Sequence, residues 1–214
     1  GVKKCILIST DKACQPVNVY GSSKFIAERM FTNYDYMSRD TIFSSVRYGN
    51  VIASRGSFIP LWISMIEKDQ PLMVTSLEMT RFLFTLEDAV NTVLNSVEAA
   101  EGGEVFIPSI SSYDMKTILI TLEKHMGKTF NYGVTGLRPG EKLHEDMLAK
   151  TELPYTYNVP GGVNLLAVRP QYTNRVHSSD WEAYKGKEFN SSLHVSDYVP
   201  DLQNLIIRGL QETN

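Results

Sequence analysis

Cys5-Ile6-Leu7-Ile8-Ser9-Thr10-Asp11-Lys12-Ala13, followed by Tyr20-Gly21-Ser22-Ser23-Lys24, is the stretch from which the rest of the chain can be read. Four apolar residues stop at Ser9-Thr10-Asp11, as a buried strand of a parallel sheet does at its C-terminal end. Pro16 and Asn18 punctuate a loop. From Val19 to Met37, apolar and aromatic residues recur at helical spacing: Tyr20, Phe25, Ile26, Met30, Phe31 and Tyr34. Ile42 to Tyr48 then predicts a second strand. Strand, helix and strand within fifty residues have the shape of the second half of a doubly wound sheet.

Outward from there the alternation continues. Ser57 to Lys68 predicts a helix with Pro60 in its first turn, where proline is tolerated, and Pro71 ends it. Leu72–Thr75 and Arg81–Thr85 read as extended. Leu86 to Ala99 predicts a helix whose N-terminus is favoured by Glu87 and Asp88 and which Gly102-Gly103 breaks. Glu104–Ile107 is a short strand, Ser112–Met126 a helix, Phe130–Thr135 a strand and Glu141–Leu148 a short helix. Lys150 to Ser196 is less regular, and Asp197–Leu210 predicts a final helix. The class is α/β. The organisation shifts near residue 50: residues 1–50 belong to the doubly wound sheet, and residues 51–214 mainly to a smaller mixed α/β substrate-binding lobe, with room for returns to the sheet.

Composition removes several classes. The formal net charge of −3 argues against a nucleic-acid surface. No apolar run approaches the roughly 20 residues of a membrane helix. Cys5 and Cys14 do not make a disulfide framework, and His125, His144, His177 and His194 lack metal-ligand spacing. The N-terminus shows no signal-peptide pattern, so a cytoplasmic location and no membrane partner are expected.

Tyr20 and Lys24 lie four apart in the predicted helix, which puts both side chains on one face with about 5–6 Å between their Cβ atoms. A nearby ammonium favours the phenolate. A tyrosine tuned this way takes a proton from an alcohol while hydride leaves its carbon. Thr10, at the strand end, can hydrogen-bond the same hydroxyl, and ligands of open α/β sheets bind outside those strand ends. Tyr and Lys four apart on a helix are usually a surface pair; the strand end ten residues earlier makes the difference. Asp11 and Lys12 add an acid and a base beside the three.

Thr10, Tyr20 and Lys24 resemble the triad of the short-chain dehydrogenase/reductases. With Asp11-Lys12, the segment resembles the UDP-N-acetylglucosamine 4,6-dehydratases of bacterial glycan synthesis, whose fold is Rossmann-like. That resemblance implies oxidation at C4 with Tyr20 as base, Lys12 as the C5 base and Asp11 as the acid at C6. It extends through Arg47-Tyr48-Gly49-Asn50-Val51 and Ser54-Arg55-Gly56-Ser57-Phe58-Ile59-Pro60, Met79-Thr80-Arg81-Phe82, Gly103-Glu104-Val105-Phe106-Ile107-Pro108 and Leu137-Arg138-Pro139-Gly140-Glu141-Lys142-Leu143-His144-Glu145. By it, Val51 joins Tyr20 and Lys24 at the NADP (or NAD) cofactor. Asn50, Arg55, Gly56, Ser57, Phe58, Ile59 and Pro60 line the UDP-sugar, Arg81 and Arg138 hold phosphate or uridine, and Glu141 binds a sugar or ribose hydroxyl. Capsule or O-antigen synthesis and a homo-oligomer of the intact protein are further implications.

The glycine-rich turn that holds a cofactor pyrophosphate, G-x-G-x-x-G, does not occur in residues 1–214. The expectation is therefore a C-terminal piece that alone binds dinucleotide poorly and turns over little. A nucleotide-sugar epimerase of the same fold and a non-catalytic remnant are the alternatives. Asp11-Lys12 speaks for dehydration over epimerisation.

Overall fold

The structure is a computed structural model that describes residues 1–212. In chain order its elements are β1 (Lys4–Ile8), α1 (Val19–Met37), β2 (Ile42–Val46), β3 (Asn50–Val51), α2 (Phe58–Glu67), β4 (Leu72–Val74), β5 (Thr80–Phe84), α3 (Leu86–Ala99), β6 (Val105–Pro108), β7 (Ser112–Asp114) and α4 (Met115–Met126). There follow β8 (Tyr132–Val134), β9 (Asp146–Leu148), β10 (Thr156–Asn158), β11 (Leu165–Val168), β12 (Glu182–Ala183), β13 (Phe189–Asn190) and α5 (Val199–Gln211). They form two compact units. Unit 1 takes Gly1–Tyr48, Val90–Ser109 and Asp146–Asn190; unit 2 takes Gly49–Ala89, Ile110–Glu145 and the described chain from Ser191.

Unit 1 holds a Rossmann-like α/β sheet of order β1-β2-β6-β11-β10-β12. β1, β2 and β6 run parallel, with Lys4 opposite Ile42 and Ser45 opposite Val105. β11 joins β6 antiparallel, Ala167 opposite Phe106, and β10 and β12 continue antiparallel. Its core gathers Val46, Phe106, Leu165, Ala167 and Trp181. β1 is half-buried rather than fully buried as its apolar run predicts, because it is an edge strand with β2 as its neighbour. β10 and β11 lie in the stretch read as irregular; the four consecutive buried residues Leu165–Val168 were the available signal.

Helix α1 begins at an N-cap, Asn18, whose Oδ1 accepts from the Gly21 N–H at 2.9 Å. The residue read as loop punctuation is the helix's first turn lock. Its inward stripe is Gly21, Glu28 and Asp35, seven residues or two turns apart, while Phe25, Ile26, Met30 and Tyr34 are exposed. The apolar spacing locates this helix, but the face it buries is charged.

Unit 2 contains the sheets β3-β5-β7 and β4-β8. Its core is built by α2 (Ile59, Trp62, Ile66), α4 (Ile118, Leu122) and α5 (Leu202, Ile206), each stripe at helical spacing. A Cβ at Gly209 would lie 2.7 Å from Ile52 Cγ2, so α5 packs its backbone directly on that side chain.

Three sequence expectations change. Ser112–Asp114 is a strand, and helix α4 starts only after Asp114, whose Oδ1 caps the Thr117 N–H at 2.6 Å. The last helix begins at Val199 with proline in its first turn, not at Asp197. Glu141–Leu148 is not a helix: Asp146–Leu148 is strand β9, paired with β13. The reason lies in Arg81, whose guanidinium donates to the Lys142 and Leu143 carbonyls at 3.0 and 3.3 Å. A helix would need those acceptors for its own N–H groups. No helix among the described residues is long and apolar enough to cross a membrane.

Candidate active site

In unit 1 the chain leaves β1 and turns once through Asp11–Ala13 as a 3-10 turn. Thr10 caps that turn, its Oγ1 accepting from the Lys12 N–H at 3.4 Å. The Asp11 N–H donates to the Tyr48 carbonyl and the Ser9 N–H to the Val46 carbonyl, which ties the turn to the strand beside it. Thr10, Asp11 and Lys12 are thereby brought together. Thr10 Oγ1 and Lys12 Nζ both donate to Asp11 Oδ1, each at 2.9 Å. The other carboxylate oxygen, Asp11 Oδ2, is buried without a hydrogen-bond partner. A buried acceptor left this way is costly unless a ligand meets it.

Tyr20 and Lys24 stand on the first two turns of α1. Tyr20 is half-exposed, at 53%, and Lys24 Nζ donates to the Ile8 carbonyl at 3.0 Å, at the strand's C-terminal end. Gly21 sets how closely this helix approaches: an added Cβ would lie 2.2 Å from the Lys12 carbonyl oxygen. Hydrogen at that position is what lets the helix start seat against the Asp11–Ala13 turn.

Behind the turn lies a buried ionic network that sequence reading did not find. Arg47 is 1% exposed. Its Nε and Nη2 donate to the two oxygens of Glu28 at 3.1 and 2.6 Å, and Nη1 and Nη2 to those of Glu152 at 3.0 and 3.1 Å. Nη1 also donates to the Met147 carbonyl at 2.8 Å, and Ser9 Oγ donates to Glu28 Oε1 at 2.5 Å. Burial works against both charges. The facing carboxylates nevertheless hold the Arg47 guanidinium well above its usual range. Burial would push the Glu152 carboxyl up, but Arg47 and the Ala149 N–H keep it below the ordinary carboxylate value. The signal was the Arg47 of an already quoted motif and a glutamate four residues past Lys24.

The remaining candidates lie in unit 2. Asn50 and Val51 form β3 beside β5, and the strand's approach depends on Gly49, whose Cβ would lie 2.5 Å from Phe82 Cβ. Asn50 Oδ1 and Ser57 Oγ are buried without a partner. Arg55 and Gly56 are exposed, Gly56 with φ +79°. Phe58, Ile59 and Pro60 form the first turn of α2; Ile59 is buried in the core, and Phe58 packs against that core with its ring edge-on to Trp62. Arg81 is held by backbone carbonyls as described, so its structural place is a clamp on residues 142–143. Arg138 is exposed. Glu141 Oε2 accepts from the Arg138 N–H at 3.1 Å, closing a turn in which Gly140 has φ +85°.

Among the described residues, one cluster has metal-ligand composition. Glu101, Glu104 and His177 bring ligand atoms within 4.8 Å of one another. The Glu104 carboxylate accepts from the Glu101 and Gly102 N–H groups and from Ser44 Oγ, and His177 Nε2 lies 3.0 Å from the Gly102 carbonyl. The cluster braces the Gly102-Gly103 turn.

Comparison with known proteins adds the following. The family model described as polysaccharide biosynthesis protein matches residues 1–164. A UDP-N-acetylglucosamine 4,6-dehydratase (inverting) of Campylobacter jejuni subsp. jejuni serotype O:23/36 is 40% identical over 173 residues, covering 79% of this chain and 50% of that protein. A UDP-glucose 4-epimerase of Rickettsia felis is 36% identical over 154 residues, covering 71% and 45%. The X-ray structure of Pen from Bacillus thuringiensis superposes with a TM-score of 0.86 at 30% identity, covering 100% of this chain and 64% of that one. The chain spans about half the length of the two sequence relatives.

Proposed function

Because the chain belongs to the polysaccharide biosynthesis protein family, we propose that the intact protein is a nucleotide-sugar dehydratase, converting UDP-N-acetylglucosamine to a UDP-4-keto-6-deoxy-hexosamine for surface glycan synthesis. The observation that carries this reading is the Asp11–Lys12 pair beside Thr10, with Asp11 Oδ2 buried and unpartnered. An epimerase needs no acid and base beyond the Thr–Tyr–Lys group. A dehydratase needs both.

Tyr20 and Lys24 fit the nicotinamide end of an NADP or NAD cofactor, since a half-exposed phenol and an amine held at the Ile8 carbonyl flank the C-terminal end of β1. Such a cofactor, when bound, would supply the hydride acceptor for oxidation at C4 and the hydride donor for reduction at C6. Tyr20 takes the proton of the C4 hydroxyl, and Thr10 orients that hydroxyl. The C4 ketone acidifies the C5 proton, which Lys12 removes as general base. Asp11 protonates the C6 hydroxyl, which leaves as water, and the protonated Lys12 gives a proton back to C5 as hydride reaches C6. The 2.9 Å hydrogen bond between Lys12 Nζ and Asp11 Oδ1 holds the base and the acid side by side. In unit 2, Asn50 and Ser57 carry unpartnered polar atoms for sugar hydroxyls, and Arg55 and Arg138 offer exposed guanidinium groups to a diphosphate.

The test is mass spectrometry of UDP-N-acetylglucosamine incubated with the full-length protein and a nicotinamide cofactor. Loss of one water is expected. A product of unchanged mass would replace the reading with that of an epimerase, the activity named for the Rickettsia relative.

A further inference from the structure

Unit 1 carries a cleft of about 610 Å³ that no residue assigned to the reaction lines. One wall is the α1 face bearing Arg29 and Tyr36; the others come from the segments around Tyr155 and from Arg169 to Tyr172. The volume lies within the range of about 300–1,000 Å³ typical of small-molecule sites.

Its lining has a definite chemistry. Three phenol rings (Tyr36, Tyr155 and Tyr172) reach it, each more than a third exposed. Two guanidinium groups, Arg29 and Arg169, line it with one carboxylate, Glu152, and that carboxylate already accepts two hydrogen bonds from Arg47. Arg29 lies about 4 Å from Glu28 and Glu152, too far for a hydrogen bond to either, and its side chain is 46% exposed.

Arg169 is fixed in place before any ligand arrives. Its guanidinium carbon sits 4.7 Å from the Tyr157 ring centroid and 4.4 Å from that of Trp181. Its Nη2 donates to the Ser178 carbonyl at 2.8 Å and to Glu101 at 3.3 Å. Its Nε is buried and has no hydrogen-bond partner. A fixed guanidinium, a second and exposed guanidinium, and a rim of phenols suit a ligand with a flat ring and a polyanionic group.

We propose that this cleft is a second binding site, distinct from the candidate active site, for a ligand of the nucleoside diphosphate class. The base or ribose rests on the phenols and the phosphates on Arg29 and Arg169. This does not depend on the dehydratase reading, whose failure in the water-loss assay would leave it standing.

Equilibrium dialysis of the 214-residue chain with UDP and with inorganic pyrophosphate tests it. A background carrying Arg55→Ala and Arg138→Ala removes the two unit 2 arginines offered above to a diphosphate. In that background, one saturable UDP site is expected. Adding Arg29→Gln and Tyr172→Ala is expected to weaken it at least tenfold, and both positions are exposed, so the fold survives the change. Pyrophosphate is expected to bind at least tenfold more weakly than UDP. Absence of a saturable site in that background, UDP binding indifferent to Arg29→Gln and Tyr172→Ala, or pyrophosphate as tight as UDP would each overturn the proposal.

Discussion

At Gly21 an added methyl group would meet the Lys12 backbone oxygen at 2.2 Å, and backbone has nowhere to retreat. Gly21→Ala is expected to push the start of α1 off the Asp11–Ala13 turn, costing about 1–3 kcal/mol in a denaturant titration, as overpacking does. It should lower turnover of the full-length protein more than that loss of folded population explains, since Tyr20 and Lys24 move with the helix. Lys12→Ala and Asp11→Asn test the chemistry itself. Each is expected to lower the dehydration rate by about 10²–10⁴-fold, the usual contribution of a positioned acid or base. Lys12→Ala should slow the entry of solvent deuterium at C5 in step with the dehydration, since every product molecule has lost and regained a proton there. The strand end that carries Thr10, Asp11 and Lys12 and the helix start that carries Tyr20 were legible because their order and spacing are local. Arg81 was not legible. Its reading as a phosphate or uridine contact rests on the resemblance of Met79-Thr80-Arg81-Phe82, whereas its place as a clamp depends on the carbonyls of residues more than sixty positions away.

Among elements, α1 carries the most instructive difference. Period and propensity give its limits, Val19 to Met37, correctly. They do not say which face is buried, because Glu28 and Asp35 become interior only when Arg47 and Arg175 arrive from elsewhere in the chain. The supposed helix at Glu141–Leu148 fails for a related reason, since local pattern cannot see the distant guanidinium that takes its carbonyls. The Arg47 network also makes an energetic prediction. Arg47→Met would leave Glu28, which is fully buried, without its cation. A broken buried pair costs about 3–5 kcal/mol, measurable as a lower urea midpoint. Double replacement with Glu28→Leu should recover much of that loss. Glu152 adds a pH dependence. Its folded value lies below the ordinary carboxylate value of 4.5, so its contribution is complete above that value and is lost as pH falls through the depressed folded one. Glu152→Gln should therefore flatten the acid limb of stability against pH, with little change in slope near neutrality.

The whole molecule divides its chain in an order that local reading anticipates only in outline. A change of organisation near residue 50 is visible in the sequence, because strand–helix–strand gives way there to mixed elements. The return of Val90–Ser109 and Asp146–Asn190 to unit 1 is a matter of strand pairing: β6 sits beside β2, and β11 beside β6. Pairing partners are set by contacts far apart in sequence, which no window along the chain contains. Each unit has its own apolar core, and the core of unit 2 draws on both ends of its sequence range, Ile52 and Ile206. That gives α5 a weight its terminal position does not suggest. Leu202 and Ile206 are fully buried, and Gly209 brings the helix backbone onto Ile52. Ile206→Ala removes a buried side chain at the cost of about 2–5 kcal/mol typical of such cavities. Because α5 packs on α4, hydrogen exchange should show the protection of Ile118–Leu122 falling by the corresponding factor. The amides of β2 and β6, in the other core, should keep theirs. Equal loss in both sets would mean that the two cores unfold as one cooperative body, and unchanged protection in α4 would mean that α5 is an appendage rather than part of the unit 2 core.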